Sequence, residues 1–233
     1  MTYKNPYRKN SHLSVQKTRQ IIRLFCEDLT ASSTSRLLWI ERKTINRRYM
    51  YFREVIYDHT LQDNEVRKWI IEIDESYFWA RRVRWKRWRW AWKKVTVLWL
   101  LKRKWKVYAR IVPDCSAQTL LPIIRGKVSI EDSIINTDYR KSYDWLVDLW
   151  AKKHHRVKHS NNEFARWSRH INWIESFRSY CKRRLSKFNG IKEEYYYLYI
   201  KECERRFNCW LQWKNKYKEL MKICRIFTSS SRC

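Results

Sequence analysis

Hydrophobic and polar positions along the chain change period twice. From Ser14 to Leu29 the apolar residues Ile21, Ile22, Leu24, Phe25 and Leu29 recur at helical spacing and predict a helix. Residues 29–49 then predict a short helix, a tight turn at Trp39, and a second helix carrying Arg42, Lys43, Asn46, Arg47 and Arg48. A helix-turn-helix unit places a small residue, often Gly, in such a turn, and its second helix enters the DNA major groove with basic and amide side chains. Spacing alone equally fits any basic helical hairpin.

Beyond residue 60 the apolar runs shorten to strand length. Trp69–Glu75 predicts a buried strand ending in acids, while Val95–Leu101 and Lys106–Val112 predict a hairpin turning through Lys102–Trp105. Ser116–Ile124 predicts a helix, Ser133–Asp138 a strand, Ser142–Leu149 a helix, and His154–Val157 a fifth strand. A long basic helix follows from Ile174 to Lys187. The order β-β-β-α-β-α-β-α is that of an RNase H-like core. The fold class is therefore α/β, a mixed sheet flanked by helices and preceded by an all-α helix-turn-helix domain. Helices over Lys192–Phe207 and Lys214–Ile226 and a polar tail, Thr228–Cys233, complete the chain. The implied domains are 1–60, 61–190 with a basic loop at 81–94, and a helical extension at 191–233.

Charge narrows the partner. The 52 Lys and Arg outnumber the 23 Asp and Glu, a formal net charge of +29 spread over the whole length, which points to a polyanion. With 44% apolar residues the chain can bury a core and is no disordered basic tail. The start is polar, without the apolar stretch of a signal peptide, and the run Val95–Leu101 is too short to span a bilayer. The seven Cys contain no C-x-x-C pair and read as cytosolic thiols. His154, His155, His159 and His170 have no spaced Cys or His partners and suit phosphate contact or packing better than a metal cluster.

Most acids are scattered among cations, but three are placed differently. Asp74 ends the run Ile-Ile-Glu-Ile-Asp, Asp138 closes Ile-Ile-Asn-Thr-Asp, and Glu175 lies near the start of the long basic helix. An RNase H-like nuclease needs carboxylates on two adjacent central strands and one on a later helix, holding two Mg²⁺ ions about 3.5–4 Å apart. Hard oxygen ligands suit Mg²⁺, so three carboxylates with phosphate oxygens suffice. Three acids at element ends also arise by chance, and spacing does not separate the two readings.

Specific motifs do. Ile-Glu-Ile-Asp-Glu-Ser-Tyr-Phe (71–78), Lys-Val-Tyr-Ala-Arg-Ile-Val-Pro-Asp (106–114), Leu-Leu-Pro-Ile-Ile-Arg-Gly-Lys-Val (120–128), the stretch 153–165, His-Ile-Asn-Trp-Ile-Glu-Ser-Phe (170–177) and Lys-Arg-Arg-Leu-Ser-Lys-Phe-Asn-Gly (182–190) resemble bacterial insertion-sequence transposases of the DDE type, ISXO-like branch. The resemblance runs from the helix-turn-helix to about residue 220. It implies Asp74, Asp138 and Glu175 as catalytic metal ligands for two Mg²⁺ ions, or Mn²⁺, with Asn172, Tyr180 and Lys182 as supporting groups near the DNA. The implied reaction nicks the insertion-sequence ends and joins the freed 3′-hydroxyl to target DNA. The implied partners are the double-stranded terminal repeats and target, bound by a homodimer in the bacterial cytoplasm, on the nucleoid, with no membrane. The alternative is a catalytically inactive, transposase-derived DNA-binding protein. Two positions depart from the family pattern: Tyr139 follows the second aspartate where relatives carry Gly, and Arg178 follows Glu-Ser-Phe where they carry an aromatic residue.

The chain has 15 Trp and 2 Gly, against an ordinary glycine content of roughly 7%. Arg81–Lys94 packs four Trp among eight cations: Arg81, Arg82, Arg84, Lys86, Arg87, Arg89, Lys93 and Lys94. Literally read, it resembles a cationic membrane-interface peptide or a base-stacking surface. With Gly at each Trp it becomes the flexible, phosphate-gripping basic loop of the related transposases. Trp39 and Trp105 fall in predicted turns, Trp79 just past the first acidic strand, Trp145 and Trp150 around a helix end, and Trp167 and Trp173 beside the Glu175 motif. At most of these the family pattern has Gly. Such a distribution is expected of a gene that uses UGA for glycine and is read with UGA as tryptophan; the alternative is a Trp-rich protein with indoles in its core.

Overall fold

The computed structural model describes residues 5–8, 11–63, 65–82, 92–138, 153–157, 172–188 and 191–230. The chain forms two compact units, one from Met1–Asp63 with Trp213–Cys233, the other from Asn64–Gln212.

The first unit is helical. Its α1 (Val15–Cys26) starts where the Ser14 side chain accepts from Lys17 N–H, and α2 (Ala31–Leu38) where Thr30 accepts from Ser33 N–H. Each such cap satisfies an otherwise orphaned donor and contributes about 1 kcal/mol. Trp39 ends α2, and α3 (Arg42–Leu61) follows. The core joins Ile21, Ile22 and Phe25 of α1 to Ile45, Tyr49, Phe52 and Ile56 of α3. Phe25 meets Tyr49 and Phe52 edge-on at 4.9 and 5.4 Å.

In the second unit β1 (Arg67–Arg82) pairs antiparallel with β2 (Trp92–Lys102), which pairs antiparallel with β3 (Lys106–Val112). After α4 (Ala117–Lys127), β4 (Val128–Asp138) runs parallel to β1, and β5 (Lys153–Val157) parallel to β4. The sheet order is β3-β2-β1-β4-β5. This is an RNase H-like mixed sheet, as the strand and helix order predicts.

Strand alternation divides β1 between two layers. Ile71 and Ile73 pack with Leu120 and Ile124 of α4, whereas Phe78 packs with Trp99 and with Ile174, Phe177, Cys181 and Leu185 of α5 (Asn172–Leu185). Those four α5 residues form the apolar stripe of an amphipathic helix. The open edge of β3 is covered by α6 (Tyr196–Leu211): Asn208 accepts from Val107 N–H at 2.7 Å and donates to Val107 C=O at 2.9 Å, and Glu204 accepts from Ala109 N–H at 2.8 Å.

Four expectations need revision or fall outside the described residues. The helical extension at 191–233 is divided: α6 packs on the sheet unit, and α7 (Lys216–Ser230) contributes Leu220, Ile223 and Cys224 to the helical unit's core. β1 does not stop at Glu75, because pairing with β2 continues through Phe78↔Val95 and, past a bulge, Arg82↔Trp92. Arg81, Arg82, Lys93 and Lys94 therefore belong to the hairpin's strands rather than a loop, while Arg84, Lys86, Arg87 and Arg89 lie outside the described residues. So does the helix expected at Ser142–Leu149. Among the described residues no helix is long and apolar enough to cross a membrane.

Candidate active site

Asp74 stands on β1 on the α5 side of the sheet and is 2% exposed. Its Oδ1 accepts from the Glu75 N–H at 2.9 Å, and its Oδ2 from Arg178 Nη1 of α5 at 3.1 Å. Asp138 ends β4. The β1–β4 register pairs Ile73 with Thr137, so the next residues, Asp74 within β1 and Asp138 at the end of β4, stand in step on adjacent parallel strands. Neighbouring strands lie about 4.8 Å apart. The described part of Asp138 is its backbone.

Glu175 occupies the first turn of α5, and its Oε1 lies 3.9 Å from Arg178 Nη2. The guanidinium of Arg178 thus bridges two of the three predicted acids. Asp74 within β1 and Glu175 on the packed helix are hard-oxygen donors of the kind a divalent ion takes, and Asp138 stands in register with Asp74 on the neighbouring strand. Among the described residues no three His, Cys, Asp or Glu side chains converge on one point; between Asp74 and Glu175, Arg178 supplies the positive charge. In donor chemistry the residues fit a Mg²⁺ centre, with Arg178 as the competing cation.

Sequence reasoning did not single out Glu72, which is fully buried two residues before Asp74. Its Oε2 accepts from the Ile174 N–H at 3.0 Å and its Oε1 from Arg103 Nε at 2.6 Å. Burial holds its carboxyl above the usual range, opposed by the Ile174 N–H and by Arg103. The signal was available: an acid inside an apolar strand, one alternation away from Asp74. Its partners, 102 and 31 residues away, were not.

The remaining predicted residues separate by burial. Asn172 opens α5 and is exposed. Tyr180 packs its ring against Phe177 and Phe207, and burial raises its phenol, so its contacts are those of a core side chain. Lys182 is exposed and lines, with Tyr77, Phe78, Leu185, Ser186 and Phe188, a hollow of about 370 Å³. Arg42, Lys43, Asn46 and Arg47 are exposed on α3. Arg48 points inward: it is 8% exposed, donates from Nη2 to Ser11 Oγ at 2.7 Å, and burial lowers its guanidinium to about 10. Helix rotation turns residue 48 to the core side beside Ile45 and Tyr49, which removes it from the expected DNA face. His154 Nε2 hydrogen-bonds Thr137 Oγ1 at 2.9 Å.

Among the described residues, three of the five non-glycine residues with left-handed backbone are tryptophans: Trp39 (φ 54°), Trp69 (φ 85°) and Trp213 (φ 53°). All three are exposed. Trp99, in contrast, is fully buried, and its Nε1 donates to Ser76 Oγ at 2.7 Å.

The model of the ISXO2-like transposase domain matches residues 66–208. A protein of Haemophilus influenzae described as an uncharacterized transposase-like protein is 50% identical over 105 residues, 45% of this chain and 83% of that protein. Among solved structures, the pre-cleavage Mos1 transpososome aligns over 96% of this chain and 81% of its own, with a TM-score of 0.42 and 11% identity. The Mos1 strand transfer complex aligns over 95% and 78%, with a TM-score of 0.38 and 11% identity.

Proposed function

The chain belongs to the ISXO2-like transposase family, and from that premise we propose that it nicks insertion-sequence ends and transfers the freed 3′-hydroxyl to target DNA. The observation that carries this reading is the register of Asp74, within β1, with Asp138 on the neighbouring β4, together with the shared pairing of Asp74 and Glu175 to Arg178 of α5. Asp74, Asp138 and Glu175 would hold two Mg²⁺ ions, or Mn²⁺, which activate an attacking oxygen and stabilise a leaving one. Arg178 neutralises the acid pair in the resting chain. Lys182, exposed one α5 turn beyond Arg178, offers a cation to the DNA backbone.

The helical unit supplies end recognition in this reading. Arg42 and Lys43 lie in the first turn of α3, which has no acidic residue. The helix dipole is positive there, with the N-cap Glu41 the adjacent acid, so two cations and the helix end together favour an external phosphate. Arg42, Lys43, Asn46 and Arg47 form the proposed DNA face, and the basic segment 81–94 grips phosphates without reading bases. Bringing two ends together calls for a homodimer on double-stranded DNA, working in the cytoplasm on the nucleoid.

A second reading, a transposase-derived DNA-binding protein without catalysis, is favoured by one observation: Arg178 forms ion pairs with both Asp74 and Glu175. A nicking and strand-transfer assay with Mg²⁺ on end-bearing duplexes decides between them. Activity lost in both Asp74→Ala and Asp138→Ala supports the enzyme. Sequence-specific end binding without nicking, in the chain as written and with Gly at the Trp positions of 81–94, supports the relic.

A further inference from the structure

The first N–H groups of a helix have no acceptor within it. At the start of α5 that need is met from the sheet, since Glu72 Oε2 accepts from Ile174 N–H at 3.0 Å, with the Trp173 N–H a lesser influence on the same carboxyl. The other oxygen takes Arg103 Nε at 2.6 Å, and Arg103 is itself tied to β1 through its N–H to Ile70 C=O at 3.1 Å. A fully buried carboxylate is costly unless several donors meet it, and here donors from α5 and the β2–β3 turn converge on one side chain of β1. We propose that Glu72 is a positioning residue of the acid site, clamping the N-terminus of α5 to β1 so that Glu175 is held at a fixed place relative to Asp74.

This inference rests on the reading of Asp74 and Glu175 as metal-binding carboxylates. Glu175 directly follows Ile174, the clamped residue, and Asp74 lies two positions beyond Glu72 on the same side of β1. The rest of α5 is held by Ile174, Phe177, Cys181 and Leu185 in apolar packing, which is non-directional and leaves the helix free to rotate slightly. The second α5–β1 link, Arg178 to Asp74, is made to the very carboxylate that a metal would claim. The Glu72 link is made to no candidate metal ligand and so persists when a metal is bound.

The test uses the full chain with Glu72→Ala and Glu72→Gln, the latter keeping an oxygen acceptor in the same place. Backbone hydrogen exchange over 172–176, Mn²⁺ affinity by electron paramagnetic resonance, and kcat and KM for nicking are read together. Glu72→Ala is expected to speed exchange at Trp173 and Ile174, and to weaken Mn²⁺ about 10- to 100-fold, the range for residues that orient metal ligands. It should lower kcat with KM for DNA unchanged, and Glu72→Gln should recover amide protection and Mn²⁺ affinity together, each to most of the parental value. Unchanged exchange and unchanged Mn²⁺ affinity in Glu72→Ala overturn the proposal. Exchange that responds in a chain whose parent binds no Mn²⁺ supports the clamp while removing the metal-site reading beneath it. Should Glu72→Ala fail to fold, Glu72→Gln decides: loss of Mn²⁺ affinity with Ile174 fully protected overturns the positioning role.

Discussion

Trp39 closes α2 with φ 54° and ψ 44°, donates its N–H to Ser35 C=O, and leaves its indole 94% exposed. A left-handed backbone costs a residue with a Cβ about 1–2 kcal/mol, and nothing around this indole recovers it. Trp39→Gly should therefore raise stability by about 1 kcal/mol, read as a higher urea midpoint, with Trp213→Gly behaving alike. Peptide mass spectrometry of the native protein tests the codon reading directly, since Trp at 39 and 213 would sink it. Trp99 belongs to the other class: with Phe78 and Phe177 edge-on at 5.5 and 5.2 Å, its truncation to Ala should cost about 3–5 kcal/mol. Arg178 tests the acid site at the same scale. A hydrogen bond to a charged group is worth about 1.5–3 kcal/mol, so Arg178→Gln should strengthen Mn²⁺ binding at least tenfold by calorimetric titration. Unchanged affinity would show that Arg178 does not compete with the ion. The departure at residue 178 was visible in the motif, but its consequence was not, because Asp74 is 104 residues away.

At the scale of elements, local pattern predicted more than it could join. The hairpin turn at Lys102–Trp105, the helices over Ser14–Leu29 and Ser116–Ile124, and the long basic helix of α5 follow from neighbours in sequence. Strand ends did not follow. The length of β1 is set by β2, whose pairing carries Ser76, Tyr77 and Phe78 past the acids where alternation alone ended the strand. The protected edge of β3 was likewise hidden, because Asn208 lies 101 residues from the backbone groups it satisfies. Removing that side chain strands one N–H and one C=O of Val107. Asn208→Ala should lower stability by about 1–3 kcal/mol and, by exposing a strand edge, increase self-association at high concentration, as measured by light scattering. A monomeric variant of parental stability would contradict the capping role.

The whole molecule is assembled from non-contiguous pieces. Residues 213–233 return to the unit built by residues 1–63, and Leu220 and Ile223 are 1% and 3% exposed in its core. Each such side chain contributes about 1.5–3 kcal/mol, a large share of a domain's total of about 5–15 kcal/mol. A chain truncated after Gln212 should lose the cooperative unfolding of the helical unit and, with it, end-specific DNA binding. Circular dichroism melting and a binding assay check both. The net charge of +29 acts at this scale too, and DNA affinity should fall steeply with salt, by a slope of about 0.9 per phosphate neutralised. Arg42→Ala or Arg47→Ala should each reduce that slope by about 1, whereas Arg48→Met should leave it unchanged because Arg48 is buried.

The sequence by itself determined the element types, the α/β strand order, the basic character, the candidate acids Asp74, Asp138 and Glu175, and the family resemblance. All of these reside in short windows or in composition, where periodicity and motif are complete. Tertiary structure decided which residues meet: Glu72 with Ile174, Asp74 with Arg178, Asn208 with Val107, and α7 with α1 and α3. It also turned Arg48 inward and separated Trp99, a core residue, from Trp39 and Trp213, which stand where the backbone is left-handed. The physical reason is that burial and hydrogen bonding are settled between elements about a hundred or more residues apart along the chain, and no local pattern records a partner at that distance.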